Sequence, residues 1–170
     1  MRINRRNVDA AANIVRNALS LKVPISLSGL CAVIDEKLSG KCIPDVELSI
    51  DAEIRTNDEY PFFEVRYRVD KPETRILFSV AHELGHLFLH LLEQDGKLKK
   101  AEVLQRNMSW SEEELEANEF AAAFLMPEEE FVEKCQEHLD ENRINVTKVA
   151  KDFNVSVQAA TVRGNVLGLW

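Results

Sequence analysis

Ile76, Leu77, Val80, Leu84, Leu87, Phe88, Leu91 and Leu92 recur at helical spacing and form a wide apolar stripe. A helix apolar around so much of its circumference has to be covered on most sides, so the rest of the fold must be built around it. Yet its centre reads His82-Glu83-Leu84-Gly85-His86. Polar side chains in such a place are costly unless they are partnered. Two histidines at i and i+4 lie on one helix face a turn apart, where both imidazoles reach a single Zn²⁺. Glu83 projects beside that face, placed to take a proton from a water that the metal activates.

A catalytic zinc needs three protein ligands and an open position. His90 continues the i+4 series, but eight residues separate it from His82, about 12 Å along a straight helix. The two rings cannot meet on one ion, so His90 is expected behind the ligands or as a polar residue of the core. The third ligand has to come from another element. Ser111–Met126 is the best donor: Ser111 and Glu114 have capping-box spacing, and Leu115, Ala117, Phe120, Ala121, Phe124 and Leu125 give the segment an apolar face. Glu114 and Asn118 share a face at i, i+4, which suits Glu114 to ligation and Asn118 to orienting a histidine from behind. Spacing alone weighs this evenly against acids gathered at a helix N-terminus by its dipole, and Glu113 and Glu116 stand as alternative ligands. Zinc is the default metal for two histidines and a carboxylate, with Mn²⁺ and Fe²⁺ sharing the donor set.

Upstream, Val8 to Leu21 has the period of an amphipathic helix that Pro24 stops. A second short helix, capped by Ser26 or Ser28, runs to about Leu38 and ends at Gly40. Cys42–Ser49 reads as one strand, with Val46, Leu48 and Ile50 alternating against polar neighbours. Asn57–Pro61 is a turn. Phe62–Val69 is the clearest strand, with Phe63, Val65, Tyr67 and Val69 on one face and Glu64, Arg66 and Arg68 on the other, half buried in an antiparallel sheet. Residues 95–110 read as a polar loop, Glu128–Glu141 as a surface helix, and Thr147–Phe153 and Ser156–Leu167 as two short helices. The expected fold is α+β: a small antiparallel sheet on the buried His82–His86 helix, further helices, and a helical C-terminal appendage. Residues 1–141 are expected to form the metal-binding domain, and 142–170 a helix-turn-helix-like appendage packed on it.

At 170 residues one domain is the natural expectation. Its 29 acidic residues against 21 Lys and Arg give −8, a charge that repels phosphate over most of the surface. Direct nucleic-acid binding is therefore not expected, although Gln158, Arg163 and Asn165, with Lys148 and Lys151, sit where a helix-turn-helix would place its contacts. No stretch reaches the roughly 18 apolar residues of a membrane span, and no signal segment opens the chain. Cys31, Cys42 and Cys135 form no CxxC pair and read as reduced thiols of a cytoplasmic protein.

The HELGH of 82–86 with His90, followed by Glu114-Leu115-Glu116-Ala117-Asn118-Glu119-Phe120-Ala121 and Leu125-Met126-Pro127, resembles the ImmA/IrrE family of metallopeptidases. That family pairs the first motif with a downstream E-x-x-A-[ND]-x-F-A and LMP segment. The likeness covers residues 74–127 well and the Phe153–Leu167 region loosely. It implies Glu114 as third ligand, Asn118 at the orienting position, and peptide hydrolysis with Glu83 as general base. Tyr60, Tyr67 and His138 are the candidates for stabilising the oxyanion, and an edge of the sheet containing Phe62–Val69 is a place for an extended peptide to add. The resemblance further implies an intracellular protein whose substrate is a specific protein, such as a helix-turn-helix repressor encoded nearby. A metal-binding regulator without turnover and a toxin-system partner are the other roles it implies.

Overall fold

In a computed structural model of the chain, residues 4–100 and 111–170 are described. The expected loop at 95–110 therefore falls partly outside them, at 101–110. Helix α1, Arg5–Ala18, turns Val8 and Ala12 inward, with the Asn4 side chain capping its first turn. Helix α2, Leu27–Leu38, is capped by Ser26, whose Oγ accepts from the Gly29 N–H at 3.1 Å. Its end is a single left-handed residue, Ser39, from which the chain enters strand β1, Gly40–Asp45. Gly40 is required here: a Cβ would stand 2.3 Å from the Phe63 ring, which lies across the strand from it.

Strand β2 is Ala52–Thr56 and β3 is Phe63–Arg68; the sheet order is β1-β3-β2. The α+β class stands as expected, but the sheet is mixed: β1 runs parallel to β3, and only β2 is antiparallel to it. The single strand expected over Cys42–Ser49 is also replaced by two. Asp45 Oδ1 accepts from the Glu47 N–H at 2.9 Å, folding the chain into a turn where extension was expected. Val46 is left 82% exposed. Past this turn the chain crosses to the far side of β3 to form β2 before the 57–62 turn returns it to the centre. Pro44, with no N–H to donate, sits in the edge strand β1. Phe63 and Val65 of β3 are buried in the core, while Arg66 on the other face is hydrogen-bonded to Asp45.

Helix α3, Glu73–His86, packs on β2 and β3. It does not continue as an α-helix. Leu87–Leu91 is a π-helical turn closed by the Leu92 N–H on the Leu87 carbonyl, five residues back, at 2.8 Å. Helix α4, Glu112–Leu125, begins at the Ser111 cap and lies between α3 and α1. Helix α5, Glu128–Glu137, is shorter than expected, because a small hairpin follows it. Strands β4, Leu139–Asp140, and β5, Arg143–Ile144, are joined through Glu141 and Asn142, both at positive φ. Helices α6, Val146–Asp152, and α7, Val157–Leu167, pack on each other across Asn154, also at positive φ. Among the described residues no helix is long and apolar enough to cross a membrane.

Arg163 of α7 is buried, at 1% exposure, and its guanidinium joins three helices. It donates to Glu119 of α4 and to Asp9 of α1, both at 3.0 Å, and to the Met126 carbonyl at the end of α4 at 3.1 Å. Arg5 adds a second cation 3.3 Å from Glu119. Burial and the neighbouring Asp9 carboxylate push the Glu119 carboxyl above its usual range, against the pull of Arg163. Removing one partner of a buried ion network strands the others. Arg163→Ala is accordingly expected to lower stability by about 3 kcal/mol, read as a reduced denaturation midpoint. An unchanged midpoint would show that α7 is held by apolar packing alone.

Candidate metal centre

The close crossing of α3 and α4 creates the site. A Cβ on Gly85 would lie 2.9 Å from the Ala117 Cα and 3.2 Å from the Phe120 Cβ, so only glycine lets the two backbones approach this far. Across that contact, His82 and His86 of α3 face Glu114 of α4. Their Nε2 atoms are 3.0 Å apart. The Glu114 carboxylate oxygens lie 3.3 Å from His82 Nε2 and 3.2 Å from His86 Nε2. These three residues are one of the two groups of possible metal donors among the described residues.

The spacing fits one metal ion. Donors held 2.0–2.1 Å from a tetrahedral centre lie about 3.3 Å from one another, close to the distances between these donor atoms. His82 Nδ1 is 3.0 Å from Asn118 Oδ1. An amide oxygen only accepts, so Nδ1 carries the proton and Nε2 keeps its lone pair toward the shared point. Glu83, adjacent to His82, is 1% exposed.

Neither Glu113 nor Glu116 joins that donor group among the described residues. The Glu113 carbonyl accepts from His90 Nε2 at 3.3 Å, and the Glu116 carboxylate lies 3.8 Å from that same nitrogen. His90 thus ties the π-helical turn to the first turn of α4, the turn that presents Glu114. Neither Tyr60 nor His138 is idle: the Tyr60 hydroxyl donates to Asp35 at 2.8 Å, and His138 Nε2 is 2.7 Å from Asp152. Gly85, inside the motif, carries no reactive group; it contributes by letting the two helices approach.

Gly85→Ala is expected to force α3 and α4 apart, lowering stability by about 1–3 kcal/mol. It should also weaken metal binding, as read by competition with a chromophoric chelator. Retention of wild-type stability and affinity would mean that the crossing tolerates a methyl group.

Comparison with known proteins bears on the fold and the family. No curated protein matches the chain. Among solved structures, 11 chains match. One, a Mycobacterium tuberculosis transcriptional regulator, aligns with a TM-score of 0.66 at 18% identity over 92% of this chain. The chain spans 46% of that protein's length. At this identity the likeness speaks for the fold. The family model described as the IrrE N-terminal-like domain, of peptidase family M78, matches residues 45–165. That span takes in the whole sheet except most of β1, both helices of the metal centre and nearly all of the C-terminal helices, and the chain belongs to the ImmA/IrrE family of metallopeptidases.

Proposed function

We propose that the chain is a zinc-dependent endopeptidase that cleaves a specific regulatory protein. The observation that carries this reading is the convergence of His82, His86 and Glu114 on one point, with Glu83 buried beside it. His82, His86 and Glu114 would hold the ion, and Asn118 fixes the His82 ring in the tautomer that ligation needs. Bound there, zinc supplies a Lewis acid that polarises a peptide carbonyl and acidifies a water molecule. Glu83 takes the proton from the attacking water and hands it to the leaving amine. A structural site has no use for Glu83, which favours turnover over passive metal binding.

The substrate reading rests on charge and on fold relationship. A chain at −8 is suited to a basic partner, and DNA-binding repressors are basic. The solved structure that aligns with this chain is that of a transcriptional regulator. Direct DNA binding through α6 and α7 is disfavoured by Arg163, the arginine of the would-be recognition helix, because its guanidinium is committed to Asp9, Glu119 and Met126. The reduced thiols fit a cytoplasmic setting. An extended substrate would add to β2, the edge strand that packs against α3.

Incubation with the helix-turn-helix protein encoded nearest to this chain, followed by mass spectrometry, tests the reading. Cleavage should stop on chelation and return with zinc. Glu83→Gln should retain zinc and fold while losing about 100- to 10,000-fold in rate. Cleavage by Glu83→Gln at the wild-type rate would contradict the mechanism.

A further inference from the structure

One peptide group carries Glu114 into the metal centre, and it is held at both ends. Its N–H, that of Glu114, donates to Ser111 Oγ at 3.2 Å. Its carbonyl, that of Glu113, accepts from His90 Nε2 at 3.3 Å. The group is planar, so holding its donor and its acceptor fixes the plane. The Glu114 Cα, and the side chain that grows from it, are fixed in turn. Ser111 acts from within α4, as an N-cap does. His90 reaches the same peptide group from another element.

We propose that His90 is a positioning residue of the metal centre, holding Glu114 on the point that His82 and His86 share. The inference rests on the metal-binding reading of that site. His90 does not ligate: it stands outside the donor group of His82, His86 and Glu114, and its Nε2 is turned to α4. It is a firm point of attachment. Its side chain is 12% exposed, and Leu87 and Leu91 seat its π-helical turn in the core. Turns of this kind recur at functional sites.

Two further contacts point the same way. A carboxylate oxygen of Glu116 lies 3.8 Å from His90 Nε2 and attracts its N–H toward the first turn of α4. A carbonyl only accepts, so Nε2 carries the hydrogen in this arrangement. The His90 ring also lies beside that of His86, with centroids 5.5 Å apart, so one residue touches both sides of the α3–α4 junction. Without His90, the Glu113–Glu114 peptide loses its second anchor and can tilt. The Glu114 carboxylate, at the end of a flexible arm, then leaves its spacing of 3.2–3.3 Å from the two imidazole nitrogens.

The test uses the full chain as wild type, His90→Phe and His90→Gln. Zinc affinity is read by competition with a chromophoric chelator, and the denaturation midpoint of each metal-free protein is measured beside it. His90→Phe keeps a ring but has no donor, and it should bind zinc about 10- to 100-fold more weakly at a nearly unchanged metal-free midpoint. His90→Gln keeps an N–H for the Glu113 carbonyl and should recover most of that loss. Wild-type affinity in His90→Phe, or His90→Gln as weak as His90→Phe, would overturn the proposal. So would a metal-free midpoint that falls together with the affinity, since His90 would then be a packing residue. A wild-type chain that binds no zinc would remove the metal centre itself, and the proposal with it.

Discussion

Helices α3 and α4 meet backbone to backbone where Gly85 lies over Ala117, and the donor geometry follows from that contact. Spread the helices by the width of a methyl group and Glu114 no longer stands 3.2–3.3 Å from both imidazole nitrogens. The apolar face of α4 supplies the adhesion: Ala117, Phe120, Ala121 and Phe124 are fully buried, and Phe88 and Phe120 stack across the junction. A metal-donor set needs sub-ångström support, and here that support is a helix crossing rather than a loop.

Support also arrives from the far side of α4. Arg163 grips it at Glu119 and again at the Met126 carbonyl, while bonding Asp9 of α1. Two contacts spaced along one helix fix its rotation as well as its position. The C-terminal helices are thus bound into the scaffold of the candidate metal centre. That role explains why a charged residue is tolerated at 1% exposure.

What was legible in the sequence was local. Helical periodicity and the i, i+4 pair of histidines report directly on one helix face, so α3 and its motif were readable. Glu114 was not separable from Glu113 or Glu116 by spacing, because the rotation of α4 against α3 is set by tertiary packing; the family motif supplied the choice. Strand β2 is five residues long with a single large apolar side chain, Ile54, too little to stand out, while the alternation of Val46, Leu48 and Ile50 pointed to a stretch that the Asp45 turn takes out of the sheet. The π-helical turn was invisible, since a single-residue change of register leaves the apolar stripe intact. Arg163 stands in the sequence where a helix-turn-helix would place a contact, and its buried role is not legible there because its partners lie 44 and 154 residues away in the chain.

X-ray absorption at the zinc edge tests the central claim most directly, for it reads ligand type and distance without requiring a substrate. Protein loaded with zinc should bind one ion per chain, with a shell of nitrogen and oxygen at about 2.0–2.1 Å and the outer-shell scattering of two imidazoles. Glu114→Ala and His82→Ala should each lose that signature. A sulfur shell at about 2.3 Å would place the metal on cysteine, and an unaltered spectrum in Glu114→Ala would remove α4 from the coordination sphere; either result would contradict the account.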